Sequence, residues 1–413
     1  MGQLRTRASR ASVLLLGLIV VGVAACGSSG TPAGSGSTAG SGSSTAAGTP
    51  FDVVFDTGTT GPYGANGEAA VQGLEAAANV LNQTQGGILG HKVKVEVLNN
   101  NGNPTLAASL LEQRLSSGAR PDMVEPGAIS SEGVIEVPIA NAAKVLSVGS
   151  PNDSSLDNPS KYPYEFMTTP AALLEQESLM DYFKAHHYAN VGMIYSSDAY
   201  GASLGQATIQ AAQQAGIKLE TVTYEDTDLN MTAELQKLQA DHPQVLYVQG
   251  FAAPPGIILQ DLYALGWKIP TIGDTAAAAT PVIAQDASKP FEKGLLLQNL
   301  KLSVYSGSEP TAVKNYIAAI SKFGPIDSLL STTSFQYDSL MVVAVAAEQA
   351  KSLATPAIAN ALEHLKQPAS PPWVTLSGYS YSPTDHAPAA APGNYVVAPA
   401  SALANGQFDG PAS

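Results

Sequence analysis

The chain has 413 residues, 45% hydrophobic and only 13% charged, with 28 prolines and 38 glycines. Such a composition buries a large core and needs many turns, which argues against a disordered or fibrous chain. With 34 acidic residues against 20 basic ones and a formal net charge of −14, its surface repels phosphate backbones and argues against a nucleic-acid partner.

At the N-terminus Arg5, Arg7 and Arg10 precede the apolar run 11–25, the pattern of a secretion signal. The run falls short of the roughly 20 residues that a membrane-spanning helix needs, and no second run of that kind follows. Val23-Ala24-Ala25-Cys26 resembles the lipobox of bacterial lipoproteins. By that resemblance Cys26, the single cysteine of the chain, receives lipid and becomes the first mature residue after a signal peptide of 1–25. Two or more acyl chains hold a protein stably at a membrane. The alternative is an inert thiol in an ordinary signal peptide. Residues 26–50, rich in Gly, Ser and Thr, read as a flexible tether with a reach of roughly 25–30 Å.

From residue 51 short β-branched runs alternate with amphipathic stretches. FDVVF (51–55), KVKVEVL (92–98), PDMVE (121–125) and KVLSV (144–148) are separated by helices predicted at 67–83, 104–117 and 131–143. The rhythm restarts with a helix at 172–187, then NVGMIY (190–195), KLETVTY (218–224), QVLYVQ (244–249), KIPTIG (268–273) and GLLLQNL (294–300), with helices from 201, 231 and 255. Further helices are predicted at 309–323, 333–351 and 355–366, before a proline-rich tail with short strand signals. The expected fold class is α/β, with two doubly wound parallel-sheet lobes.

Ligands of open parallel sheets bind beyond the carboxyl ends of the strands. The loops there carry glycine, hydroxyls and aromatics but almost no histidine: TGTTGPYGANGEA (57–69), EPGAISSEG (125–133), VGSPNDSS (148–155), SSDAYGASLG (196–205), QGFAAPPG (249–256) and GDTAAAA (273–279). They suit hydrogen bonding and stacking on a small polar ligand better than proton transfer.

TGPYGANGEAAVQGLEAAANVLN, GGILGHKVKVEVLNNNGNPTLA, EPGAISSE, Tyr200-Gly201, Gly250-Phe251, LGWKIPTIG and SPTDHAP follow in order along residues 51–413. The series resembles the branched-chain amino acid type of type I periplasmic binding protein. The resemblance implies three hinge crossings, near Pro170, Leu297 and Asn394, so that 51–170 with 298–393 forms lobe 1 and 171–297 with 394–413 forms lobe 2. It implies a ligand enclosed between the lobes and handed to the permease and ATPase of an ABC importer. No cofactor is expected. By residue, it implies a hydroxyl from Ser130, or Ser131 one place on, and amides and a hydroxyl from Ser150 through Asn152 to Asp153. It also implies a first-loop contact from Asn66 or Tyr63, and an aromatic wall from Tyr200 and Phe251. Members that bind α-amino acids hold the ammonium with acidic groups, but the matching positions here are Ala172 and Thr275, with Asp274 one place away. An unpaired buried ammonium costs several kcal/mol, so the expected ligand is an organic acid or amide rather than a zwitterionic amino acid, unless Asp274 turns inward.

Two other classes compete. Gly201-Ala202-Ser203-Leu204-Gly205 matches the nucleophile elbow of α/β hydrolases, with His364 or His386 as triad partners, but five residues separate it from its strand, too many for an elbow. A ligand-sensing lipoprotein without transport shares every feature above. Metal binding is not expected: His186 and His187 are adjacent on a helix, and Asp226, Asp228 and Asn230 imitate a calcium loop that has Met231 and Lys237 where glycine and glutamate are needed.

Overall fold

The computed structural model describes residues 48–279, 290–389 and 393–410. The leader, Cys26 and nearly all of the tether lie outside the described residues.

The first lobe is built on β1 (Phe51–Thr57), β2 (Val93–Asn99), β3 (Met123–Pro126), β4 (Leu146–Gly149) and β5 (Glu165–Met167). All pair in parallel, in the order β2-β1-β3-β4-β5. β1 and β3 are buried almost throughout, as strands covered on both faces must be. Helices α1 (Gly64–Thr84), α2 (Pro104–Ser116) and α3 (Ser130–Ala142) make the crossovers. The start of α2 is set locally: Pro104 occupies its first turn, and the Asn103 side chain accepts from the N–H groups of Thr105 and Leu106. β5 has no counterpart in the sequence reading, because a three-residue strand opening on a glutamate carries almost no hydrophobic signal.

The second lobe holds β6 (Asn190–Ser196), β7 (Lys218–Tyr224), β8 (Val245–Val248), β9 (Thr271–Gly273) and β10 (Leu296–Leu300). It also holds β12 (Tyr395–Pro399), and the order is β12-β10-β9-β8-β6-β7. Only β12 runs antiparallel, along β10. Helices α4 (Ala172–Ala185), α5 (Ala199–Ala215), α6 (Thr232–Ala240), α7 (Pro254–Ala264) and α8 (Thr275–Ala278) belong with this sheet. The second crossing, expected near Leu297, comes after Leu300, because the ladder with β12 continues to the Leu300–Tyr395 pair. Beyond it, β11 (Val304–Tyr305) pairs with β13 (Phe408–Asp409), a strand ladder that short polar segments conceal in the sequence.

Helices α9 (Thr311–Ile320), α10 (Leu330–Ala350) and α11 (Thr355–Glu363) return to the first lobe. There Leu340, Met341, Val343 and Ala347 share a core with Phe51, Phe55, Leu74 and Leu81. α1 and α10 touch backbone to backbone: a Cβ on Gly73 would sit 1.8 Å from the Thr333 carbonyl oxygen. Gly73→Ala is therefore expected to destabilise by about 1–3 kcal/mol despite the better helix propensity of alanine, because the two helices must separate. A denaturant titration checks this.

Candidate functional site

Strand order reverses between β1 and β3 in the first sheet and between β6 and β8 in the second. Ligand crevices open at the carboxyl ends of such strands. The connections leaving these four strands carry Asn66, Ser130 and Tyr200 in the first turns of α1, α3 and α5 and Phe251 in a loop, and all four line one cavity between the lobes. The cavity has a volume of about 90 Å³.

On the first-lobe side Ser130 opens α3, where backbone N–H groups lack helical partners and favour an anion. Its Oγ accepts from the Asn152 N–H at 3.0 Å, which leaves the hydroxyl hydrogen to donate. Ser150 repeats the arrangement: its Oγ accepts from Gln336 Nε2 at 2.6 Å. Two hydroxyl donors beside a helix N-terminus suit a carboxylate or an amide oxygen. The loops are held by Glu132, a residue without a role in the sequence reading. Its Oε1 accepts from the Gly58 N–H at 3.0 Å, and its Oε2 from the Ala128 N–H at 3.0 Å and from Thr57 Oγ1 at 3.2 Å. One buried carboxyl thus ties the β1 loop to the β3 loop.

On the second-lobe side Tyr200 and Phe251 pack with ring centroids 4.6 Å apart, tilted by 56°. Gly250, at φ +141, precedes Phe251, and a Cβ there would meet the Tyr224 hydroxyl at 1.8 Å. That hydroxyl donates to the Gln249 carbonyl at 2.7 Å. Only glycine fits this approach, and it aims the aromatic loop. Thr275 also lines the cavity and donates to Glu175 Oε1 at 3.2 Å.

Of the residues singled out from sequence, Asn66, Ser130, Ser150, Asn152, Tyr200, Phe251 and Thr275 meet in the cavity. Ser131 and Asp153 do not line it; Asp153 instead accepts from the Ser155 N–H at 2.8 Å. Tyr63 does not fill the space beside Asn66. Its hydroxyl crosses to the other lobe and donates to Asp226 Oδ2 at 2.6 Å. Asp274 is wholly buried and caps α8, accepting from the Ala277 N–H at 2.6 Å and from the Tyr200 hydroxyl at 3.0 Å.

The sequence reading leaves Asp274 as the one acidic candidate of the second lobe, and Glu175 is a second. It sits three residues after Ala172 on α4 and lines the cavity. Positions i and i+3 of a helix share a face, so a carboxyl displaced by one turn was the available signal. Ile129 before α3 and Leu300 at the end of β10 also line the wall, and α10 and β12 bring in Ser331, Thr332, Phe335, Gln336 and Tyr395 from far along the chain.

The hydrolase reading finds no support in the geometry. Ser203 lies inside α5, where its Oγ accepts from the Ser154 N–H of the first lobe at 3.1 Å. His364 contacts the Asn360 carbonyl, and His386 contacts the Glu165 carbonyl and Glu363. Among the described residues no cluster of three or more ligating side chains could hold a metal ion, and no helix is long and apolar enough to cross a membrane.

Two doubly wound sheets enclose a cavity lined by serine hydroxyls, aromatic rings and aliphatic side chains, the form of a solute-binding protein. A family model described as periplasmic binding protein matches residues 53–397, and the chain belongs to this family as a type I member of the Leu/Ile/Val-binding type. Over 275 residues it is 26% identical to Leu/Ile/Val-binding protein homolog 3 of Brucella melitensis biotype 1, covering 63% of this chain and 69% of that protein. Among solved structures, it resembles the branched-chain amino acid transporter substrate-binding protein LivJ of Streptococcus pneumoniae in complex with isoleucine. The TM-score is 0.70 at 19% identity, covering 87% of this chain and 97% of that one. A second is the solute-binding protein of an ABC transporter from R. palustris in complex with 4-hydroxybenzoate. There the TM-score is 0.69 at 15% identity, covering 82% and 90%. The family places the protein outside the cytoplasm.

Proposed function

We propose that this chain is a lipid-anchored receptor that captures a small carboxylate- or amide-bearing, amino-acid-like solute between its lobes and delivers it to an ABC importer. The observation that carries the reading is the pair of serine hydroxyls, Ser130 and Ser150, facing Tyr200 and Phe251 across one cavity. In this reading the lobe boundaries expected from sequence act as the hinges, with the second moved to follow the β10–β12 ladder that ends at Leu300. The bonds Tyr63–Asp226 and Ser154–Ser203 join the lobes directly, as a closed, ligand-enclosing state requires. Cys26 supplies the anchor in this reading, and the tether keeps the body near a permease. The solved relatives in complex with isoleucine and 4-hydroxybenzoate support a carboxylate as the common feature of the solute.

Calorimetric titration with branched-chain amino acids and small aromatic acids tests the reading. One class is expected to bind, and Ser130→Ala is expected to weaken it about ten- to a hundredfold, the loss of one hydrogen bond to a charged group. Loss of uptake of that solute on deletion of the gene favours transport; intact uptake with a lost cellular response would favour sensing.

A further inference from the structure

The charges of the first lobe are sorted by sheet edge. Its five strands run parallel, so their amino ends share one edge, away from the cavity. Lys92, Arg120, Lys144 and Lys161 stand in the turns that enter β2, β3, β4 and β5, and all four are exposed. Lys351 caps α10 at the end opposite the cavity, and Lys366 joins it there, its N–H donating to Gln349 Oε1 in the last turn of that helix. Both are exposed as well. None of the six takes part in an ion pair among the described residues. The acidic groups nearby are engaged: Arg114 pairs with Asp52 and Glu96, Asp122 accepts from the Asp52 N–H at 2.8 Å, and Glu363 meets His386. Glu112 and Glu348 are the exposed exceptions. Helix C-termini favour single cations at this edge, as where Arg120 donates to the Ala143 carbonyl at the end of α3. That gives no reason for Lys161, since no helix lies between β4 and β5.

The tether joins the body at the same edge. The Thr49 carbonyl, just ahead of β1, stands 2.6 Å from Nδ1 of His91, the neighbour of Lys92. We propose that this basic edge of the first lobe is a docking surface for anionic phospholipid headgroups, on which the anchored protein rests with its cavity turned away from the bilayer. The inference rests on the lipid anchor at Cys26, which brings the surface within reach. Each lysine or arginine near an anionic bilayer gains about fivefold in partition, and a short flexible tether adds a local concentration in the millimolar range. At ~3.3 Å per residue, the seven residues of β1 set the loops beside the cavity, with Asp153 and Asp327, roughly 23 Å farther from the bilayer. That exceeds the ~8 Å screening length of physiological salt, so the net charge of −14 opposes the contact little. The second lobe has exposed lysines ahead of its own strands, Lys237 before β8 and Lys268 before β9. Both sheets turn their carboxyl ends to the cavity, so these two stand at the end of the molecule away from the tether.

The test is lysine acetylation, read residue by residue by mass spectrometry, on the anchored protein in vesicles of phosphatidylcholine alone and in vesicles that also contain phosphatidylglycerol. Lys92, Lys144, Lys161, Lys351 and Lys366 are expected to lose reactivity severalfold where phosphatidylglycerol is present, and Lys237 and Lys268 to react alike on both. Salt that shortens the screening length to about 3 Å is expected to abolish the difference. Lys92→Gln, Lys144→Gln and Lys366→Gln together are expected to lower the ratio of docked to undocked protein about a hundredfold, roughly fivefold for each. Lys161 and Lys351 then react freely, while the far-ultraviolet circular dichroism is unchanged. Equal reactivity on both kinds of vesicle overturns the inference, as does equal protection of Lys237 and Lys268, or protection by a soluble polyanion but not by vesicles. Flotation separates the two readings. Protein that floats with neither vesicle removes the anchor and the docking surface together; protein that floats and is protected only with phosphatidylglycerol keeps the docking surface and removes the anchor.

Discussion

Raising the pH from 5 to 8 is expected to lower the melting temperature of this protein by several degrees. Asp56, Glu125, Glu132, Glu136 and Glu165, from β1, β3, α3 and β5, are at most 1% exposed. Both carboxyl oxygens of Asp56, Glu136 and Glu165 lack hydrogen-bond partners, and no ion pair among the described residues uses any of the five. Burial raises all of them, and Glu136 is raised further by Asp56, Glu132, Glu125 and Glu165. Asp56 is pushed up to about 8. Between the unfolded carboxylate range and these raised values the folded state holds protons that the unfolded chain has released. Stability is therefore fully present below the unfolded range and is lost as pH rises through the folded values. Each unit of difference is worth about 1.4 kcal/mol, so the cluster costs on the order of several kcal/mol at pH 8. Thermal melts at pH 5, 6.5 and 8 measure it. Glu136→Gln is expected to flatten the profile and raise the melting temperature at pH 8; a melting temperature that rises with pH in the unaltered protein contradicts the account.

Asp338→Ala is expected to destabilise the protein by at least about 3 kcal/mol and to weaken solute binding with it. Asp338 lies buried on α10 and accepts from the N–H groups of Val374 and Thr375 at 2.9 and 2.8 Å and from the Tyr379 hydroxyl at 2.9 Å. Alanine leaves three buried donors without an acceptor, each at about 1–3 kcal/mol. The same helix carries Ser331, Phe335 and Gln336 into the cavity, so loosening it at Asp338 moves the wall against which Ser150 is set. Urea titration reads the first effect and calorimetry the second. Asp338→Asn, which keeps one acceptor oxygen, is expected to lose less.

The strands and helices of the two repeated halves were legible because a buried parallel strand is a run of β-branched and aromatic residues and its crossover helix is amphipathic. β1, β6 and β7 fall within two residues of where those runs predict them. β5, β11 and β13 were not legible: strands of two or three residues are defined by the neighbour they pair with. In the cavity, Ser130, Tyr200 and Phe251 are the residues that the family resemblance implies, and each follows a strand at a switch point. Tyr63 was misplaced because its partner, Asp226, stands in the other lobe.

By itself the sequence determined that the chain repeats an α/β unit into two sheets, that strand-end loops furnish the hydroxyls and aromatics, and that its single thiol stands at the end of an apolar run. These are local properties of composition and period. Only the tertiary structure decided that Glu175, Gln336 and Tyr395, from α4, α10 and β12, meet Ser150 around one cavity, and that five carboxyls share one interior. Contacts between side chains hundreds of residues apart depend on which strands pair and which helix faces turn inward, and a pairing energy that exists only between two elements leaves no mark on either one alone.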